Sequence, residues 1–208
     1  FKVPENLDVK ESAVAEPTAV SYHAVLLALE ASKKPLEDCR TLVQGAGAIG
    51  LLCSLILSKI QGNINLTISD PNKKRLNECA KYVDAKTVSP DHKDIKESSF
   101  DLVFDTVGLE VSRQQAINVV KPGGIIIHIG LTQPAGSFNF RKATLQEVTF
   151  IGTYCYTNKE FGETIDILAN RRLGNTDWIE FRSLKDGWGA FKEIHDGTCT
   201  APKIVLIP

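Results

Sequence analysis

Short apolar runs alternate along the chain with segments in which apolar residues recur every three to four positions. The runs are typical of buried strands, and the segments between them are typical of helices that pack on a sheet. The predicted strands are residues 41–44, 64–70, 85–88, 100–107, 123–131 and 147–154. The predicted helices are residues 48–60, 72–83, 110–120 and 158–174. This alternation predicts an α/β fold with a doubly wound, six-stranded parallel sheet.

The second predicted strand has a different pattern from the others. Ile64, Leu66 and Ile68 alternate with polar residues at the positions between them. A central strand that helices cover on both faces is usually apolar throughout. The alternation is therefore stronger than the predicted architecture requires.

The two ends of the chain lie outside this alternating pattern. Residues 1–31 show a helical pattern interrupted by Pro17, and residues 175–208 contain two short apolar runs with a helical segment between them. A sheet completed between residues 41 and 156 does not need either end to cover it. We therefore predict a main domain over residues 32–174, with the two ends as flanking parts of a second, partial domain.

The composition is ordinary for a globular protein of 208 residues, with 43% hydrophobic residues and a net charge of −1. A near-neutral balance offers no basic face for nucleic acid, and no apolar run is long enough for a membrane span, so we expect neither partner. The five cysteines are scattered without a C-x-x-C pair, which favours reduced thiols and a cytoplasmic protein. The sequence begins at Phe1 and contains no methionine, so we expect a piece or a processed form of a longer protein.

Three glycines lie between the first predicted strand and the helix that follows it. Gly45, Gly47 and Gly50 have the spacing G-x-G-x-x-G. At such a position the first glycine permits a tight turn, the second lets the backbone approach a pyrophosphate, and the third lets the helix pack closely on the sheet. The N-terminus of the helix adds free N–H groups and a partial positive charge. The motif predicts a Rossmann domain that binds a dinucleotide.

An acidic residue follows the second strand at the distance that such a site requires. Asp70 lies 20 residues beyond Gly50, where a carboxylate accepts a hydrogen bond from the 2′-hydroxyl of the adenosine ribose. The same carboxylate repels a 2′-phosphate, which favours NAD over NADP. Lys73, Lys74 and Arg75 weaken this preference, because a basic side chain accommodates the additional phosphate.

A methyltransferase that uses S-adenosylmethionine is the main alternative for this geometry. Such proteins also place a glycine-rich loop after the first strand and an acid after the second. They usually have an acidic residue just before the first glycine, where this chain has Gln44. The glycine spacing and the six strands favour the dinucleotide.

Six stretches of the sequence occur in an order and at intervals that resemble a known family. They read EPTAVSYHAV, VQGAGAIGLL, FDLVFDTVG, VKPGGIIIHIGL, FIGTY and KIVLIP. Together they resemble the medium-chain, zinc-type alcohol and polyol (sorbitol-like) dehydrogenases, in the cofactor-binding half and the C-terminal return to the catalytic domain. The resemblance implies an oxidoreductase that moves a hydride between an alcohol or polyol carbon and NAD. The alternatives are a zinc-free medium-chain reductase that uses NADPH and a non-catalytic module that senses NAD.

The resemblance also assigns cofactor-binding residues position by position. It matches Gly45, Gly47, Ala48, Ile49 and Gly50 to the pyrophosphate loop, Asp70 and Arg75 to the adenosine ribose, Val107 to the adenine side, and Gly130, Leu131, Thr153 and Cys155 to the backbone around the nicotinamide.

The catalytic zinc of this family raises a separate expectation. Polyol dehydrogenases place a glutamate at or near the zinc, and Glu16 matches that position, although by itself Glu16 is also a plausible helix cap before Pro17. The family's other ligands are a cysteine and a His-Glu pair from an N-terminal domain, and they have no match here. We therefore expect zinc in the intact parent but not in this chain, which should bind cofactor without turning over alcohol.

The remaining histidines and tryptophans of note are predicted to be structural. His23 and His128 lie on apolar patterns and are expected to be packed, and Trp178 and Trp188 are expected to anchor the packing of the C-terminal segment.

Two further expectations come from the resemblance. The relatives often have a helix between the third and fourth strands, whereas this chain has only residues 91–99, so we expect the connection to be reduced to a turn. Their sixth strand often pairs with that of a two-fold mate, so we expect a homodimer through residues 138–155.

Overall fold

The computed structural model describes residues 1–63 and 65–208. Within them, six strands form one sheet: β1 Thr41–Gln44, β2 Leu66–Ser69, β3 Lys86–Val88, β4 Phe100–Asp105, β5 Val120–His128 and β6 Thr149–Gly152. Their order across the sheet is β3-β2-β1-β4-β5-β6, and all neighbouring strands are parallel. The predicted six-stranded parallel sheet is confirmed.

Helices cover both faces of this sheet. The α-helices of the described residues are α1 Ala15–Ala31, α2 Ala48–Lys59, α3 Lys73–Cys79, α4 Glu110–Val119, α5 Phe140–Leu145, α6 Asn158–Ala169 and α7 Gly187–His195. Successive residues of a strand face opposite sides, and Leu42 and Val43 accordingly lie in two different apolar clusters. The cluster of Val43 includes residues of α1, α2 and α6, and the cluster of Leu42 includes residues of α4. The sheet is therefore doubly wound.

Strand β2 is buried along its whole length, including its polar positions. Ile64, which the pattern placed at the start of this strand, lies outside the described residues. Thr67 and Ser69 are buried, like the apolar residues beside them. The polar alternation in the sequence therefore does not mark an exposed face.

Several element boundaries differ from the prediction, and one described helix was not predicted. Strand β5 starts at Val120 rather than at residue 123, and α3 ends at Cys79 rather than at residue 83. Helix α5 was not predicted, because none of its residues is buried and it has no apolar periodicity to detect. Its start depends on a local contact, in which the side chain of Asn139 accepts a hydrogen bond from the N–H of Lys142 (2.9 Å). The connection from β3 to β4 contains turns and no helix, as predicted.

The C-terminal segment forms a second, smaller sheet. Strands β7 (Ile179–Ser183) and β8 (Lys203–Ile207) are parallel, and α7 connects them. Trp178 is buried, as expected of a packing anchor. The same expectation was wrong for Trp188, which is 83% exposed because it lies with Phe191 and Ile194 on a face of α7 that no described residue covers.

Candidate functional site

A cleft of about 630 Å³ lies at the carboxyl ends of β1, β2 and β4. Strand β1 is followed by a connection to β2 on one side of it, whereas β4 lies on its other side, so the order of the strands reverses here. Ligands of open α/β sheets bind in the crevice at such a switch point. The cleft is lined by the glycine loop, the end of β2, and the segment that joins β4 to α4.

Two of the three loop glycines are required by the protein's own packing. Gly45 has φ +101°, and a Cβ there would lie 2.6 Å from Oγ1 of Thr106. A Cβ on Gly50 would overlap the carbonyl group of Gly45. The close contact that Gly50 permits is therefore between α2 and the turn at the end of β1, rather than with the strand itself.

Gly47 has no such internal reason to be glycine. Its backbone is extended (φ −84°, ψ −170°), a conformation that any residue adopts, and a Cβ would meet nothing within 4 Å. Helix α2 begins directly after it, and its first hydrogen bond runs from the N–H of Leu51 to the carbonyl of Gly47 (2.9 Å). The N–H groups of Ala48, Ile49 and Gly50 precede that bond, and no side chain caps the helix. This open space in front of a helix N-terminus is suited to an anion.

Asp70 joins the glycine loop to the end of β2. One carboxylate oxygen accepts a hydrogen bond from the N–H of Ala46 (2.8 Å), and the other accepts from the N–H of Asn72 (2.7 Å). The residue is 6% exposed and lines the cleft. A carboxylate has about four acceptor positions, so these two bonds orient the group and leave capacity for a ligand hydroxyl.

Two basic residues lie beside the glycine loop. A second cavity of about 380 Å³ is bordered by Gly47, Ala48, Arg75 and Lys203. Nε of Arg75 donates to the carbonyl of Cys199 (3.4 Å), which ties α3 to the C-terminal segment. The sequence did not single out Lys203, because it reaches the loop from β8, far along the chain.

The opposite wall of the cleft is organised by a buried aspartate that the sequence analysis missed. Asp105, at the end of β4, is fully buried, and its Oδ1 accepts hydrogen bonds from the N–H groups of Val107 (3.0 Å) and Gly108 (2.9 Å). Its carbonyl accepts from the N–H groups of Ile129 and Gly130. A Cβ on Gly108 would overlap the carbonyl of Gly130. The available signal was an aspartate and a glycine three residues apart at the end of a strand.

The loop that follows β5 is fastened to the start of α4. Arg113 donates from Nη1 to the carbonyl of Gly108 (2.9 Å) and from Nη2 to that of Ala135 (2.7 Å). Oγ1 of Thr132 donates to the carbonyl of Val107 (2.6 Å), and Thr132 itself lines the cleft. This loop is otherwise exposed, so side chains rather than a core hold it in place.

The structure brings together eight of the predicted cofactor residues around the cleft. These are Gly45, Gly47, Ala48, Ile49, Gly50, Asp70, Arg75 and Val107. The other four, Gly130, Leu131, Thr153 and Cys155, are not part of its lining and lie at the carboxyl ends of β5 and β6.

The predicted structural histidines make specific contacts. Nδ1 of His23 lies 2.9 Å from Oε1 of Glu160, which links α1 to the N-terminus of α6. The ring of His128 packs against Phe150, with ring centres 5.6 Å apart, and its Nε2 lies 3.6 Å from Oδ2 of Asp105.

The described residues do not form a metal centre. Within residues 1–63 and 65–208, no group of three or more histidine, cysteine, aspartate or glutamate side chains is placed to hold a metal ion. Glu16 is exposed in the first turn of α1. A catalytic zinc needs three protein ligands, so these residues alone do not fit one. In the same part of the chain, no helix has the length and apolar character to cross a membrane.

Burial keeps two cysteines unreactive. It raises the pKa of the Cys53 and Cys79 thiols to about 12. The Cys79 thiol donates to the carbonyl of Ala46 (3.5 Å), which joins α3 to the glycine loop.

Comparison with known proteins places this cleft in a family context. A family model described as zinc-binding dehydrogenase matches residues 48–170. A probable D-xylulose reductase A of Neosartorya fischeri is 30% identical over an alignment of 213 positions, gaps included. The alignment covers 95% of this chain and 57% of that protein.

Two solved structures share the fold. L-idonate 5-dehydrogenase from Escherichia coli matches with a TM-score of 0.84 at 23% identity, over 99% of this chain and 60% of that one. Acetophenone reductase from Geotrichum candidum, in complex with NAD, matches with a TM-score of 0.84 at 19% identity, over 97% of this chain and 57% of that one. The chain thus spans only part of the length of each of these proteins.

Proposed function

The chain belongs to the zinc-binding dehydrogenase family, and from this premise we propose that it is the cofactor-binding part of an NAD-dependent alcohol or polyol dehydrogenase. Family membership removes the methyltransferase alternative. The observation that carries the proposal is Gly47, which is glycine without any packing or conformational need of the chain and faces open space at the N-terminus of α2. A pyrophosphate is the group that such a position accommodates.

The chain's own residues account for binding of the adenosine half. The free N–H groups at the start of α2 and the cations of Arg75 and Lys203 offset the charge of the pyrophosphate. The Asp70 carboxylate, already oriented by two backbone bonds, accepts from the ribose hydroxyls and repels a 2′-phosphate. This repulsion is the reason to propose NAD rather than the NADPH of zinc-free reductases.

The other half of the cofactor extends towards the ends of β4 and β5. When bound, the nicotinamide supplies or accepts the hydride. The chain's part is to position it through the backbone at Gly130, whose N–H donates to the carbonyl of the buried Asp105. Val107, whose N–H donates to Oδ1 of the same Asp105, is proposed to line the adenine side. Leu131, Thr153 and Cys155 are proposed to border the same region from the ends of β5 and β6.

The remainder of the proposal concerns the intact parent. We propose that residues 1–31 and 175–208 are the parts of the chain that join a catalytic domain. The support for residues 175–208 is that β7 and β8 form a sheet of their own, whereas α1 also packs on the main sheet with α2 and α6. Glu16, exposed on α1, is proposed to lie at or near a zinc whose other ligands the described residues do not supply. The substrate is proposed to be an alcohol or polyol, and the buried protonated thiols are consistent with a cytoplasmic location.

Calorimetric titration with NADH and with NADPH tests the cofactor proposal. We expect the 208-residue chain to bind NADH more tightly, and Asp70→Asn to weaken NADH by about tenfold while leaving NADPH unchanged or stronger, because one buried charge-assisted bond is lost and a repulsion is relieved. Asp177→Asn, which changes an exposed aspartate outside the cleft, is the matched control.

A preference of the unaltered chain for NADPH would instead favour the zinc-free reductases. Lys73, Lys74 and Arg75 would then bind the 2′-phosphate. Absence of binding for both dinucleotides would contradict the proposal.

A further inference from the structure

The C-terminal unit, which comprises β7, α7 and β8 (residues 179–208), packs on the main domain through apolar residues and is tied to it by two hydrogen bonds. Ile179 belongs to the apolar cluster of Val43, and Val205 packs against that cluster. Among the described residues, only these two hydrogen bonds connect the unit to the chain before its connecting segment 175–178. The polar attachment of the unit is therefore confined to one place.

Both hydrogen bonds connect the start of α3 to the turn that follows α7. Nδ2 of Asn72 donates to the carbonyl of Gly197 (3.0 Å), and Nε of Arg75 donates to that of Cys199 (3.4 Å). The turn is itself bonded to α7, because the N–H of Cys199 donates to the carbonyl of Glu193 (3.1 Å). Donors beside the carbonyls at the end of a helix are favourable. The two side chains thus hold the C-terminal end of α7 against α3.

The side chain of Asn72 is oriented by the helix that it caps. Its Oδ1 accepts hydrogen bonds from the N–H groups of Lys74 (3.0 Å) and Arg75 (3.3 Å). The oxygen of the amide must face these donors, so the nitrogen faces the carbonyl of Gly197. Asn72 is not among the described residues that line the cleft or the second cavity. It is therefore placed to hold other residues rather than to contact a ligand.

The attachment lies where the two cavities meet. Arg75 lines both of them, and Lys203 borders the second one together with Gly47 and Ala48 of the glycine loop. Lys203 is the first residue of β8, shortly after the attached turn, and β8 is paired with β7 along its whole length. The position of Lys203 beside the glycine loop therefore depends on how the unit is attached to α3.

We propose that Asn72 is a positioning residue for the pyrophosphate site, because it holds the C-terminal unit where Lys203 can face the glycine loop. The inference rests on the proposed function, in which the cations of Arg75 and Lys203 offset the charge of the pyrophosphate. One of these cations belongs to α3 and the other to the C-terminal unit. Since the attraction between charges weakens with distance, both act on one anion only while the two elements are tied together.

Asn72→Ser tests the inference by calorimetric titration with NADH. Serine keeps an oxygen that caps the helix but lacks the amide that reaches Gly197. We expect NADH binding to weaken about threefold at low salt, as for the loss of one exposed hydrogen bond, with an unchanged urea midpoint. Asn139→Ser is the matched control and should bind NADH as the unaltered chain does, because Asn139 caps α5 in the same way and lies outside both cavities.

Combination with Lys203→Gln separates positioning from a general structural role. In the unaltered chain, loss of this charge should weaken NADH binding roughly threefold to tenfold at low salt. With Asn72→Ser present, the same substitution should cost about twofold or less, because the lysine is no longer held beside the pyrophosphate. A structural effect that is independent of Lys203 would leave its cost equal in the two backgrounds.

Amide hydrogen exchange provides a second measurement that needs no ligand. Without the bond from Asn72, the attached turn should open more often, so residues 197–203 should exchange faster in Asn72→Ser than in the unaltered chain. Asn139→Ser should leave the exchange of these residues unchanged.

Three results would overturn the inference while the proposed function stands. They are unchanged NADH binding in Asn72→Ser, an equal cost of Lys203→Gln with and without it, and unchanged exchange of residues 197–203. If the unaltered chain binds neither NADH nor NADPH, the proposed function fails and the inference fails with it.

Discussion

At the scale of single residues, glycine is required for two different reasons at two positions of one loop. Gly50 is fixed by contact with the Gly45 carbonyl, whereas Gly47 touches nothing. The first is a matter of folding and the second a matter of binding, so substitutions at the two positions should have opposite consequences.

Gly47→Val should leave folding intact and weaken NADH binding. The extended backbone at this position accepts a β-branched residue, and the added side chain would occupy the space proposed for the pyrophosphate. We expect a loss of at least about tenfold in affinity, measured by calorimetric titration, with an unchanged urea midpoint.

Gly50→Ala is the counterpart and should lower the free energy of unfolding by about 1–3 kcal/mol, as for an overpacked contact. Urea denaturation of the two variants side by side checks both predictions. A larger loss of stability in Gly47→Val than in Gly50→Ala would contradict the assignment.

Lys203→Gln should weaken NADH binding and make it less sensitive to salt. Lys203 borders the cavity beside Gly47 and Ala48, where its charge would face the pyrophosphate. We expect roughly a threefold to tenfold loss at low salt, shrinking as salt screens the remaining charges. Lys185→Gln removes the same charge from an exposed site outside this cavity and should leave both affinity and salt dependence as they are.

At the scale of elements, the loop after β5 depends on α4 for its position. Arg113 donates to the carbonyl of Gly108, just before α4, and to that of Ala135, in the loop. Oε1 of Glu110 accepts a hydrogen bond from the N–H of Ser137 in the same loop (3.1 Å). One backbone hydrogen bond joins the loop to this region, from the N–H of Gln133 to the carbonyl of Gly108. The other hydrogen bonds named here between the loop and α4 involve side chains. The loop should therefore loosen when one side chain is removed.

Arg113→Ala should weaken NADH by about fivefold and leave ADP binding unchanged. ADP lacks the nicotinamide half that the loop is proposed to border, so it reports only on the adenosine side; the lost bonds are each worth about 1 kcal/mol. Competition titrations with the two ligands measure the difference. Arg141→Ala, on the exposed helix α5, is the control, and an equal loss for both ligands would indicate general destabilisation instead.

The contact between α1 and α6 should make stability depend on pH. Burial raises the pKa of Glu160, but hydrogen bonds from the Thr157 N–H and from His23 outweigh it and hold this pKa below the ordinary value of 4.5. A carboxyl with a lowered pKa stabilises the fold above the pKa of the unfolded chain, and the contribution disappears as the pH falls through the folded value.

Glu160→Gln should therefore reduce the free energy of unfolding at pH 7 and make little difference in acid, well below about pH 4. Urea denaturation across this range measures the effect, with Glu163→Gln in the same helix as control. A difference that stays constant with pH would show that the side chain acts by packing alone.

At the scale of the whole molecule, the two edges of the main sheet differ. Strand β3 at one edge is short and carries the exposed Lys86, a feature that discourages further pairing. Strand β6 at the other edge carries Phe150, which is 46% exposed, and α5 beside it exposes Phe140 and Leu145. We propose that β6 is the edge at which a second copy of the chain pairs.

Phe150→Lys should convert a dimer to a monomer, because a charge on the β6 edge opposes strand pairing. Size-exclusion chromatography with light scattering measures the mass. Thr87→Lys, at the β3 edge, should have no effect. A monomer for the unaltered chain at high concentration would rule out the pairing for this length of chain.

The sequence by itself determined the order and type of nearly all elements, because the apolar periods of strands and helices are local and strong. It also determined the glycine loop and Asp70, since their spacing follows from the geometry of one β-α-β unit. It could not predict α5, whose start depends on a cap and not on burial, nor the exposure of Trp188, which depends on what packs against α7.

The tertiary structure alone decided which residues meet around the cleft. Asp70, Thr106 and Thr132 line the cleft from separate parts of the chain, and each is an ordinary polar residue in its local sequence. The Asp70 carboxylate acquires its two backbone donors only after the strands have aligned. The local apolar pattern therefore determined the helices and strands, whereas contacts between distant parts of the chain determined which polar groups surround the cleft.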